Sequence, residues 1–132
     1  MINILPDSNE NIILCGNSSD TVLQQGNSFK NAHLELKKIN SSLNVLSEKS
    51  YKLPDNYRYE YMISRNGRNN NILIGGSFVA EYFTPYLFLF VVNKQLDSLK
   101  ANFYTDRSRS CYALNQINDT TYWLADGSGS HY

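Results

Sequence analysis

A chain of 132 residues makes one domain, spanning 1–132, and a domain of this size buries roughly two-thirds of its unfolded surface, so it needs no disulfide or metal staple to fold. Twelve basic and twelve acidic residues cancel, which excludes both the basic footprint of a dedicated nucleic-acid module and the acidic surplus of a nucleic-acid mimic. Ten Tyr and six Phe favour sheet surfaces over helix interiors.

Along the chain, INIL (2–5) and NIILC (11–15) read as short strands parted by the turn-rich PDSNE. No basic segment precedes a long apolar one, so no signal peptide is expected and the setting reads as cytoplasmic. Cys15 and Cys111 fit two free thiols in a reducing compartment better than one disulfide, because small secreted folds carry more cysteines at closer spacing. Residues 17–28 are polar, and Ser18-Ser19-Asp20 offers a cap for a short helix through Val22 and Leu23.

Residues 29–49 carry two periods at once. His33, Glu35 and Lys37 alternate with Leu34 and Leu36, whereas Leu36, Ile39, Leu43 and Leu46 fall at helical spacing. The run Asn40-Ser41-Ser42 competes for backbone bonds and weakens a helix. Strands over 32–39 and 43–49 are therefore expected, with a helix as the alternative. YRYEYMIS (57–64) sets Tyr57, Tyr59, Tyr61 and Ile63 against Arg58, Glu60, Met62 and Ser64, the pattern of a half-exposed strand. Asn66-Gly67 predicts a tight turn with positive φ, and ILIGG the return strand.

The most apolar stretch is SFVAEYFTPYLFLFVV (77–92). A membrane helix needs about 20 apolar residues, and this run is shorter and holds Glu81 and Pro85. Pro85 in mid-helix would cost about 3 kcal/mol, and no polar face recurs at helical spacing. Strand is what remains, with YLFLFVV (86–92) central and covered on both faces. Residues 77–83 form either a separate strand or the first half of one long strand bent at Thr84-Pro85. NKQLD is then a turn, SLKANFYT a strand, TDRSRS a loop, CYALNQI and TYWLAD strands around Asn118-Asp119-Thr120, and 127–132 a frayed tail. No internal repeat is evident. The fold class expected is mainly β: an antiparallel sandwich or half-barrel of about seven to nine strands, with at most one or two short helices.

Chemistry is sparsely represented. His33 reads as a rim residue, and His131 sits in a Gly/Ser tail that gives no base the rigidity it needs. Cys15, in an apolar strand, describes an inert thiol; Cys111 has Arg109 nearby but no base. Neither a nucleotide loop nor metal-ligand spacing is present, so no cofactor or metal is expected. Two features stand out. Arg65 and Arg68, with Arg107 and Arg109, lie in two loops that would share one end if an even number of strands separates them. Tyr59, Tyr61 and Trp123 could act as rigid interface anchors. The composition thus points to a small non-enzymatic protein that neutralises a protein partner by occlusion, in the style of an immunity protein, antitoxin or inhibitor. The alternatives are a small nuclease or toxin domain using His33, and a glycan-binding module.

Overall fold

The computed structural model describes residues 2–7, 9–23, 27–55, 57–79, 85–104 and 111–126. Those residues form ten strands: β1 (Ile2–Pro6), β2 (Ile12–Leu23), β3 (Asn27–Ile39), β4 (Val45–Lys52), β5 (Arg58–Asn66), β6 (Ile72–Val79), β7 (Pro85–Val92), β8 (Ser98–Tyr104), β9 (Cys111–Gln116) and β10 (Tyr122–Asp126). A single 3-10 turn, Arg68–Asn70, is the only helical element among them. The mainly-β expectation holds, with one strand more than its upper count.

Strands pair in sequence order. β1-β2-β3-β4 form one antiparallel sheet, β5-β6-β7-β8 a second, and β9-β10 a two-stranded ribbon. The first sheet turns Ile13, Cys15, Leu34 and Leu36 inward; the second meets them with Met62, Ile74, Phe78, Phe88 and Phe90. Phe103, Phe88 and Phe78 interlock edge-on and stacked, with ring centroids 5.9 to 6.5 Å apart. On the other face of the second sheet, Leu73, Leu89 and Val91 pack against Leu114 of the ribbon. The second sheet is thus the middle layer of three. This is why β6 is buried at every position and why Phe88 through Val92 are all buried: alternate side chains serve two different cores.

The two four-stranded sheets are tied at their edges. Asn3 on β1 donates to the Met62 carbonyl at 2.7 Å, and Asn66 on β5 donates to the Pro6 carbonyl at 3.1 Å, so side chains bridge two strands that share no ladder. At the opposite edges, the Tyr51 hydroxyl donates to the Leu96 carbonyl at 2.5 Å, and Lys49 meets Asp97 at 3.2 Å. The hydrogen bond from Lys49 holds the Asp97 carboxyl below its ordinary pKa, with Asn93 assisting.

Five hairpins share one five-residue loop design, closed by a bond from the first N–H to the fifth carbonyl: Asp7–Asn11, Asn40–Asn44, Gly67–Asn71, Asn93–Asp97 and Ile117–Thr121. In three of them an Asn side chain organises the loop, since Asn40 Oδ1 accepts from Ser42 and Asn44, Asn93 Oδ1 from Gln95 and Asp97, and Asn118 Oδ1 from Thr120 and Thr121. The fourth residue is left-handed in four: Glu10 (φ 60), Leu43 (φ 63), Asn70 (φ 59) and Leu96 (φ 67). An internal repeat therefore exists, in backbone geometry rather than in the strand residues.

Several expectations are corrected. The polar stretch after Cys15 forms no helix at 17–23; it extends β2 to Leu23, with β3 beginning at Asn27. In region 29–49 the expected strands form, and the alternative helix does not. Gly67 has a negative φ of −98, and the left-handed residues of that turn are Asn69 and Asn70. Residues 77–79 are neither a separate strand nor part of the following one: they complete ILIGG as β6, and Pro85 opens β7.

Candidate functional site

Residues with chemical potential are scattered. His33 is half-buried on the outer face of β3, with Nδ1 2.8 Å from the Asn31 carbonyl; its cross-strand neighbours are Ser18 and Lys52. That contact orients the ring but supplies no carboxylate to stabilise an imidazolium. Cys15 is a free, fully buried thiol whose pKa is pushed up to about 11 by burial, which outweighs the opposing influence of the nearby Ser64 hydroxyl. A thiol held neutral in this way is a poor nucleophile. Among the described residues no three His, Cys, Asp or Glu side chains cluster as a metal site would require. His131 lies outside the described residues, as do Arg107 and Arg109.

Arg65 and Arg68 are exposed and attach to the ribbon. Arg65 Nη1 lies 3.4 Å from the Leu114 carbonyl, and the Arg68 N–H donates to Gln116 Oε1 at 2.8 Å. Three strands, β6 to β8, separate this turn from the loop at 105–110. An odd number puts the loop's anchors at the far end: Tyr104 pairs with Leu87 and Cys111 with Asp126, whereas Arg68 meets Gln116 at the other end of β9. The even strand count on which a shared arginine end depended is not found.

The tyrosines divide as well. Tyr59 packs between Phe78 and Phe88, at 5.6 and 5.7 Å, and donates its hydroxyl to the Pro54 carbonyl at 3.1 Å. Burial, then the nearby Tyr57 and Asp55, pushes its pKa upward. Its ring therefore serves the core. A bulge between Tyr59 and Tyr61 switches the faces of β5, so that Tyr59 and Met62 both belong to the inner core. Tyr61 pairs across to Ser77 and Trp123 to Asn115 through their backbones, and their side chains lie outside the described part of the structure.

The surface that the sequence reading missed is the outer face of the first sheet. Cross-strand partners share a face, and two apolar rows result. One runs Pro6–Ile12–Ile39–Val45 across all four strands; the next pairs Ile4 with Leu14 before reaching Lys37 and Glu48. Ile2 extends the face and is 71% exposed, while Ile4 is 66% exposed. Leu43, in the neighbouring turn, is 75% exposed, and Leu46 is also exposed. On the same face Lys37 is paired with Glu48 at 3.3 Å, and Glu35 accepts from Ser18 and Ser50. No family model, curated protein or solved structure matches this chain. The signal in the sequence was IILC itself: four apolar residues in a row on a strand commit both faces, one to a core and one to something else.

Proposed function

We propose that this is a small binding protein without catalytic chemistry of its own, which neutralises a protein partner by covering part of that partner's surface. The observation that carries the reading is the apolar outer face of the first sheet. Scattered apolar residues are ordinary on a surface, but a row that runs across four strands, flanked by the exposed Ile2 and Ile4, is the mark of an interaction site. The Lys37–Glu48 pair and the Glu35 carboxylate at its border leave no surplus of positive charge for an anionic membrane or nucleic acid and favour an apolar partner surface. Covering an exposed Ile or Val of this face is worth about 1–2 kcal/mol each, enough for a handful of them to form the centre of an interface. Arg65 and Arg68, held against the ribbon, lie outside this surface. The nuclease alternative gains no support from His33, which has no carboxylate behind it.

The test uses Ile4→Glu and Val45→Glu, outward substitutions whose folding is verified by circular dichroism. A partner purified from the native host with the wild-type chain is mixed with each protein, and stoichiometry, affinity and partner activity are measured. The expected result is a one-to-one complex that suppresses the partner, weakened at least about tenfold by either glutamate. Unchanged affinity in both variants would remove the surface assignment. Turnover that is lost in His33→Ala would replace the reading with an enzymatic one.

A further inference from the structure

Three of the hairpin loops meet at one corner of the molecule and enclose a cleft of about 290 Å³. Ile13 and Ile72, both almost fully buried, form part of its lining, and Asp7, Asn66, Asn70 and Lys94 supply its polar groups. The volume lies at the small end of the range that holds small-molecule groups. Its charge is uneven. Asp7 is neutralised by Lys38 at 2.6 Å, with side chains only 8% and 14% exposed. Lys94 is half-buried and makes no ion pair among the described residues. The cleft therefore carries one surplus positive charge beside apolar walls and amide groups.

We propose that this cleft is a carboxylate-binding site. Lys94 acts as the counter-ion, the Asn70 amide as a neutral hydrogen-bonding partner, and the Ile13 and Ile72 wall takes a short apolar body. A lysine whose stem is partly buried and whose charge meets no carboxylate among the described residues gains from a compact anion beside the apolar wall. A phosphate dianion fits poorly, because one lysine faces it and the Asp7 carboxylate stands close by. A cation is disfavoured by the surplus charge. The same carboxylate chemistry comes from a free small acid or from the C-terminus of a peptide chain. The proposal stands independently of the apolar face described above.

The experiment is an amide-resolved NMR titration of the full chain with four probes: butyrate, butyramide, and a short apolar tetrapeptide with a free or an amidated C-terminus. Saturable shifts are expected at Gly67, Asn70 and Lys94 with butyrate, with the free-acid peptide, or with both, and the tighter of the two identifies the source. Butyramide and the amidated peptide should bind at least about tenfold more weakly, and Lys94→Gln should weaken carboxylate binding by a similar factor. Lys100→Gln, which alters a lysine placed 4.8 Å over the Tyr122 ring, should leave it unchanged. The proposal is overturned if the neutral amides bind as well as the acids, if Lys94→Gln has no effect, or if no probe gives saturable shifts at the cleft by about 10 mM.

Discussion

Leu43 and Leu96 occupy the same place in two loops of the same design and meet opposite fates. NSSLN and NKQLD share their closing bonds, and in both the leucine is left-handed, at φ 63 and φ 67. A bulky L-residue in that region carries about 1–2 kcal/mol of strain. Leu96 is 0% exposed and plugs the core, whereas Leu43 is 75% exposed. Replacing each by glycine relieves the strain but gives the unfolded chain more freedom, a counter-effect of about 0.5–1 kcal/mol. For Leu43→Gly little else changes, so stability should be unaltered or higher by up to about 1 kcal/mol. For Leu96→Gly the core also loses a whole side chain, which costs about 2–5 kcal/mol for a leucine truncated even to alanine, leaving a net loss of about 2–4 kcal/mol. Urea unfolding of both variants, monitored by tyrosine fluorescence, measures the difference directly. Equal losses in the two would refute the reasoning, because they would mean that Leu43 is buried in the free protein. A gain in stability for Leu43→Gly would show that the residue is retained against the interest of the isolated fold.

Cys15 links stability to alkaline pH. Its folded pKa, raised by burial to about 11, exceeds the ordinary value of 9.0, so above pH 9 the unfolded state releases a proton that the folded state keeps. Stability should fall by an amount on the order of 2 kcal/mol between pH 9 and 11, and Cys15→Ala should flatten that slope in pH-dependent urea titrations. Lys38→Met strands the nearly buried Asp7 carboxylate and should cost about 3 kcal/mol, whereas Lys37→Met, at an exposed pair, should stay within about 0.5 kcal/mol; thermal melts compare them. Gly67→Ala would place a methyl 2.6 Å from Gln116 Oε1 and 3.1 Å from Leu73, and should lose about 1–2 kcal/mol, with hydrogen exchange of the Arg68 amide rising first.

The strands were legible wherever one period dominated. YRYEYMIS and SLKANFYT announced themselves by alternation, and YLFLFVV by being apolar on both faces within a length too short for a helix in a globular core. What failed was punctuation. Gly75 and Gly76 read as the end of a strand, yet they lie in the middle of β6, opposite Ile63 and Met62 on one side and Leu89 and Phe88 on the other. With a break placed there, the strand count between the two arginine-bearing segments stayed open between three and four; β6 running on to Val79 makes it three. Tyr59 failed for a different reason. Alternation tells that a strand has two faces but not where a bulge exchanges them, and the break between Tyr59 and Tyr61 does so. The outer apolar face was illegible because it is made by register: Ile4, Leu14, Ile12, Ile39 and Val45 come from four strands, and no local pattern brings them together.

Each layer of this molecule is one uninterrupted length of chain: 2–52 for the first sheet, 58–104 for the second, 111–126 for the ribbon. A cut between Asp55 and Tyr57 would therefore sever no ladder and leave each sheet whole. The halves would be complementary fragments held together by the apolar surface between them and the few polar ties at its edges. Their reassembly would turn the cohesion of the main core into a dissociation constant that can be read on the bench.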